Sequence, residues 1–309
     1  MPSPRPAPPS ALLLFTIPSF IWGTTWLVIK FQLGVVAPEA SVAWRFALAA
    51  LLLFGWCALR GIPLRFRARE HLHLALLGLL LFGLNYVLVY LAEGSLTSGL
   101  VAVLFAFIVF WNLLGARVFF GTPAPRAVVG GAALGVIGVG LLFFPEVTSL
   151  RTGAGQGLGI VYATLGTMVA SGGNLWSQRL FARGVGVVPG TAWAMAYASL
   201  QVLAWCLVRG VPLAFDWRPA YVLSLLYLAL LGSVVAFISY LTLLQRIGAG
   251  RAGYTAAVIP VVAMVASTLF EGYQWSAAAV GGLVLVLAGT VLVLRAKERA
   301  AQVPAAVEA

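Results

Sequence analysis

The chain has 309 residues, of which 62% are hydrophobic and 9% charged, and its mean hydropathy is +1.02. Soluble domains carry about 25% charged residues; a chain this apolar cannot cover itself with polar surface, which excludes a soluble enzyme, a nucleic-acid-binding domain and a protein with one membrane anchor. The net charge of +11 reads as membrane topology, because Lys and Arg collect in loops that stay in the cytoplasm.

Apolar runs fall at 12–29, 40–59, 73–92, 95–116, 127–144, 157–180, 191–208, 220–244, 252–270 and 277–294. Each is near the roughly 20 residues that a helix needs to cross a bilayer. The runs are continuous rather than alternating, so they are helices and not barrel strands. The predicted fold is therefore an all-α integral membrane protein with ten transmembrane helices. The tail before the first run carries Arg5, but no small-residue cleavage site follows it, so the first run is an uncleaved span. The short tails, Met1 to Pro9 and about Ala300 to Ala309, are expected to be disordered. With both termini in the cytoplasm of a cell with an inner membrane, fourteen Lys and Arg lie inside and four outside (Lys30, Arg151, Arg209 and Arg218), with Arg45 within the second span. That asymmetry orients the chain. The acids Glu39, Glu93, Glu146, Asp216 and Glu271 fall on the outer side.

An internal repeat follows the same boundaries. Trp56-Cys57-Ala58-Leu59-Arg60-Gly61-Ile62-Pro63-Leu64 returns as Trp205-Cys206-Leu207-Val208-Arg209-Gly210-Val211-Pro212-Leu213, six of nine positions identical at an offset of 149. Gly130-Gly131, Leu134 and Gly138 return as Gly281-Gly282, Leu285 and Gly289 at an offset of 151. The chain thus divides into a tail (1–11), a five-helix repeat (12–148), a second five-helix repeat (149–296) and a tail (297–309). An odd number of spans inverts the second copy. Inverted repeats are common in secondary transporters, with the substrate held at the midplane between the halves. In this topology Cys57 lies toward the inner face and Cys206 toward the outer, too far apart for a disulfide.

The run Phe20-Ile21-Trp22-Gly23-Thr24-Thr25-Trp26-Leu27-Val28-Ile29-Lys30, then Trp44-Arg45-Phe46-Ala47-Leu48, resembles the opening of the EamA branch of the drug/metabolite transporter superfamily. In the second half, Tyr240 to Gly253, Ala256-Ala257-Val258-Ile259-Pro260-Val261, Phe270-Glu271-Gly272 and Gly281-Gly282 to Gly289 resemble that family's ninth and tenth helices. The first half departs from the pattern: Ala106 or a near neighbour stands where the family has proline, and Arg117 or Phe120 where it has glutamate. The resemblance implies a ten-helix carrier that exports amino acids or related small metabolites.

No phosphate-binding Gly-x-x-x-x-Gly-Lys-Ser/Thr, His-Glu-x-x-His or Gly-x-Ser-x-Gly motif occurs, so no cofactor, metal, ATP-driven step or enzymatic reaction is expected. The expected partners are a small-molecule substrate and the lipid bilayer, with no nucleic acid, as a monomer or homodimer. His71 and His73 fit an interfacial polar cluster. Lys30 and Arg45 either meet a substrate carboxylate or a gating acid such as Glu39, or snorkel to the outer surface. Glu271 is the other gating candidate. The candidate substrate-binding residues are Trp22, Thr25 and Trp26 on the first helix, Asn85, Tyr86 and Tyr90 on the third, Asn174 and Trp176 on the sixth, Ser239 and Tyr240 on the eighth and Tyr254 on the ninth. Trp22 and Trp26, and Tyr86 and Tyr90, are spaced i,i+4 and so share helix faces. An asparagine in hydrocarbon needs a partner, which a neighbouring helix or a substrate could supply. Such a set would line an aromatic cavity suited to zwitterionic or amphipathic molecules. The glycines at 131, 135, 281, 282 and 289 fit close helix packing, within the chain or between protomers.

Overall fold

In a computed structural model of the chain, residues 10–121, 126–142, 154–240, 242–243 and 255–302 are described. Tyr254, Glu146, Arg151, Arg246, Arg251 and most of both tails lie outside them. The described residues form helical rods and contain no strand. In chain order these are α1 (Ala11–Lys30), α2 (Pro38–Leu59), α3 (Ala68–Glu93), α4 (Ser98–Phe105 and Ile108–Phe120), α5 (Arg126–Leu142), α6 (Ala154–Phe181), α7 (Val187–Arg209), α8 (Pro219–Tyr240), α9 (Thr255–Phe270) and α10 (Ala277–Gln302). Six of them, α1 to α4, α7 and α8, are long and apolar enough to cross a membrane. Shorter apolar stretches lie in α5, α9 and α10. Helix α6 has 28 residues, but Gln156, Ser171, Asn174, Gln178 and its glycines keep it out of that group.

Local chemistry sets the helix ends. Ser10 caps α1 by accepting the Leu13 N–H, and Pro38 opens α2 at a position where its missing N–H costs nothing. The repeated Trp-Cys…Arg-Gly motif closes a helix in both places. The Ile62 N–H donates to the Cys57 carbonyl and the Val211 N–H to the Cys206 carbonyl, both at 2.8 Å. Gly61 and Gly210 take left-handed φ values of 63° and 64°, a conformation that only glycine adopts without strain.

Two rods change pitch midway, at corresponding positions. Gly78–Leu84 in α3 and Tyr227–Val235 in α8 are π-helical; Tyr227 stands 149 positions after Gly78, the offset of the sequence repeat. A wider turn releases carbonyls from the helical ladder. A local polar side chain takes up one carbonyl in each: Asn85 Nδ2 donates to Leu81 O at 3.1 Å, and Ser233 Oγ to Leu228 O at 3.0 Å. Helix α4 is broken as well, although Ala106 replaces the proline of the family pattern. Tight bonds from Phe107 N to Leu104 O and from Phe110 N to Phe107 O carry the turn, and the Phe107 and Phe110 rings lie tilted against each other, 5.1 Å between centres, beside Gly135 of α5. The proline's absence therefore does not straighten this helix.

Two pairs of helices at corresponding positions, α2 with α7 and α5 with α10, run antiparallel against each other. On α2, Trp44 Nε1 donates to Ala214 O beyond the end of α7, at 3.1 Å; on α7, Trp193 Nε1 donates to Leu64 O beyond the end of α2, at 2.9 Å. The α5–α10 crossing is made by glycines from both: Gly138 faces Gly282, and Gly131 faces Gly289. A Cβ at Gly138 would stand 2.6 Å from the Gly282 carbonyl oxygen. The glycine stripes of the sequence thus pack within the chain. Helix α1 lies against α9 and the π-helical part of α8, and α6 lies against α3 and α4. Cys57 and Cys206 are buried and free.

A Gly138→Val substitution should lower the melting temperature of the detergent-purified protein, overpacking of this kind costing about 1–3 kcal/mol. Gly140→Ala, where a Cβ meets nothing within 4 Å, should leave it unchanged or raise it; equal effects of the two would contradict the crossing described.

Candidate functional site

The ends of α1, α3, α4 and α9 converge on Lys30. Its ammonium donates to the backbone carbonyls of Glu93 and Leu96. It lies 3.7 Å from Glu93 Oε2 and 3.6 Å from Glu271 Oε1. Glu271 in turn closes the start of α4, accepting from the Ser98 backbone N–H and hydroxyl. A carboxylate at a helix N-terminus satisfies orphan N–H groups and meets the positive end of the helix dipole. Glu93 is fully buried, and neither of its side-chain oxygens has a hydrogen-bond partner. One cation thus faces two carboxylates, at the boundary between the halves.

Deeper in the bundle lies the second charged centre. Arg45 is 1% exposed. Its guanidinium carbon stands 4.6 Å from the Tyr86 ring centre and 5.3 Å from that of Phe46. Nε donates to Ser233 Oγ at 3.3 Å, and Nη1 has no hydrogen-bond partner. The wide turn of α8 builds this contact: it aims Ser233 at Arg45, and Gly232 leaves room where a Cβ would press on Thr25 and stand 3.4 Å from Arg45 Nη2. The Gly232 carbonyl accepts the Trp22 indole N–H at 3.0 Å. Tyr90, fully buried, donates its hydroxyl to Gln32 Oε1 at 2.7 Å.

The remaining sequence candidates spread along the bundle. Trp22 and Trp26 share a helical spacing but meet different neighbours: Trp22 packs on Phe237 and Tyr240 of α8, Trp26 on Phe105 of α4. The Trp26 indole nitrogen is buried without a partner, as is Asn85 Oδ1. Buried Thr25 donates its hydroxyl to the Trp22 carbonyl of its own helix. Trp176 is not in this region; it donates to the His73 carbonyl and packs on that ring, tying α6 to α3. His71 joins Trp193 and Tyr197 at the same end, 2.9 Å from the Tyr197 hydroxyl. Asn174 is half-buried and Ser239 buried.

Two expectations need correction. Lys30 pairs with Glu93 and Glu271 rather than with Glu39, which sits half-buried in the first turn of α2. Arg45 does not snorkel, because rings and the α8 turn enclose it. The described residues include a small apolar pocket between α2, α7 and α8, lined by residues including Leu53, Thr191, Phe237 and Ser233. At the Lys30 end of the bundle, the α7–α8 loop is held by Asp216, which accepts from Arg218 N at 3.0 Å and Nε at 2.8 Å. These bonds hold the Asp216 carboxyl below the usual carboxylate range. Glu93, Gln32, Ser98 and Ser233 escaped the sequence reading as site residues; the signal for Glu93 was an acid closing one span at the level where Lys30 closes another.

Described residues that are helical and strand-free, with six helices long and apolar enough to cross a membrane, an ion-pair cluster where helix ends meet and a buried cation, define a multi-pass membrane protein. The profile of the EamA-like transporter family matches residues 9–144 and 157–295, and the chain belongs to that family. It is 29% identical over 253 residues to the inner membrane transporter YedA of Escherichia coli (strain K12), covering 82% of this chain and 80% of that one. It is 24% identical over 293 residues to the protein PagO of Salmonella typhimurium, covering 93% and 94%. A crystal structure with 18% sequence identity superposes with a TM-score of 0.68 over 94% of this chain and 98% of the other, which supports the fold. These likenesses point to a transporter rather than an enzyme.

Lys30→Met should destabilise the fold by about 3 kcal/mol, the scale for leaving a buried charge without its partner. Adding Glu93→Gln should restore part of that loss. Chemical denaturation in mild detergent, followed by tryptophan fluorescence, reads both; no recovery in the double variant would contradict the pairing.

Proposed function

We propose that the protein is a secondary carrier of the inner membrane that exports amino acids and related small metabolites by alternating access. In this reading ten spans form two inverted five-helix repeats, with both termini cytoplasmic. The observation that carries it is the reciprocal contact pattern. Trp44 reaches the loop beyond α7 as Trp193 reaches the loop beyond α2. Gly138 meets Gly282 as Gly131 meets Gly289, and the two π-helical stretches stand 149 positions apart. Contacts that exchange under a repeat offset, between antiparallel helices, are what a two-fold axis in the membrane plane produces.

The Lys30 cluster then lies at the outer face and holds that end shut, tying α1, α3 and α4 of one half to α9 of the other. The small pocket at Ser233 lies toward the cytoplasmic ends of α7 and α8. Opening would exchange the Lys30 contacts for water while the halves rock, with the wide turns of α3 and α8 and Pro260 of α9 taking up the bending. Substrate would be held by shape, rings and hydrogen bonds, with no covalent step.

Purified protein in liposomes, loaded with unlabelled amino acids, should take up labelled amino acids saturably and faster than unloaded vesicles. Flux linear in concentration and indifferent to loading would mean a pore. Saturable counterflow of drugs, nucleobases or sugars, but not amino acids, would keep the carrier and overturn the substrate.

A further inference from the structure

Half-buried Lys30 and fully buried Arg45 have opposite surroundings. Lys30 has two carboxylates and two carbonyls. Arg45 has the hydroxyls of Ser233 and Tyr90 and two ring faces; no carboxylate lies within ion-pair distance of it among the described residues, and Nη1 is unpartnered. A guanidinium offers a planar fork of donors whose natural complement is a carboxylate held by two parallel bonds. Charged side chains buried in a membrane protein characteristically mark a substrate path. The missing countercharge is the feature of this site that the chain itself does not explain.

We propose that Arg45 binds the carboxylate of the transported molecule, and that the preferred substrates are monocarboxylates with an apolar body. The proposal rests on the carrier reading above and deepens it. Ser233 belongs both to the Arg45 contacts and to the wall of the apolar pocket. Leu53 lines that pocket eight positions after Arg45 on α2, hence about 80° round the helix and about 12 Å along its axis. A molecule whose carboxylate reaches Arg45 past Ser233 would lay its apolar part along Leu53 and Phe237. The ring of Tyr86 backs the guanidinium and fixes its plane. Among the described residues no acidic side chain pairs with Arg45, and Glu93 and Glu271 are engaged with Lys30. The site therefore supplies a partner for a carboxylate but none for an α-ammonium group, and the amino group of an amino acid is dispensable for binding.

The test is binding of 3-phenylpropanoate, 3-phenylpropanamide and L-phenylalanine to the purified full chain, by calorimetry and by the shift in melting temperature. The propanoate should bind at least as tightly as phenylalanine, and the amide at least tenfold more weakly. Arg45→Gln should lose the preference for carboxylate over amide, and Arg45→Lys should retain part of it. Size exclusion and tryptophan fluorescence check the variants; if Arg45→Gln does not fold, the carboxylate–amide comparison on the unaltered chain decides. Equal binding of acid and amide, no binding of the acid, or an unchanged preference in a folded Arg45→Gln overturns the assignment. Counterflow in liposomes separates this from the carrier reading. Carboxylate-selective binding without saturable flux removes the carrier and leaves the site; saturable flux without carboxylate preference leaves the carrier and removes the site.

Discussion

Hydrocarbon offers no water to an ammonium ion, and Lys30 ends a helix at the edge of that medium. Two backbone carbonyls and two carboxylates take water's place. Because those groups come from the ends of α3 and α9 and from the loop before α4, solvating one charge fixes where these helix ends lie. Glu271 extends the arrangement by accepting from Ser98 at the start of α4. The contacts are polar and reversible, and water could replace each of them. An apolar plug of the same size would have no such substitute, so a polar cluster suits the opening and closing that the proposed carrier cycle asks of this end.

The same medium governs the interior. A regular helix hides its carbonyls, whereas the wide turns of α3 and α8 release some. The chain spends these freed acceptors on contacts between and within helices: Gly232 O holds the Trp22 indole, while Asn85 and Ser233 reach back to Leu81 and Leu228. Ser233 is thereby placed against Arg45, so a backbone irregularity in one half positions the buried charge of the other. Where no flexibility is wanted, glycine brings α5 and α10 backbone to backbone. The bundle thus combines a rigid crossing with two helices that deviate from regular pitch near its centre.

The membrane class, the apolar runs and the duplicated segments were legible in the sequence because each is a matter of composition or spacing. The Trp-Cys…Arg-Gly motif and the glycine pairs even mark the contacts that later exchange between halves. Lys30, Arg45 and Glu271 stood out because charge in an apolar run is rare. Partners were not legible. Helical spacing assigns Trp22 and Trp26 to one face, but which helix each meets depends on packing around α1. Glu93 read as an acid at a span end, and only the meeting of α3 with α1 buries it. Gln32 and Ser233 carry no sequence signal at all, since their roles follow from a loop and a widened turn. The break in α4 at Ala106 was hidden for the same reason: it arises from ring packing against α5 rather than from proline.

The central claim is that the Lys30 end of the bundle alternates between closed and open. It is tested most directly by spin labels at Phe31 and Phe270, which are 56% and 73% exposed near the ends of α1 and α9. The distance distribution between them would be measured by pulsed electron resonance in lipid discs. The account predicts a short distance as the main population and a longer one that grows when Lys30 is replaced by Met. A single short distance in both proteins, with transport intact, would contradict it.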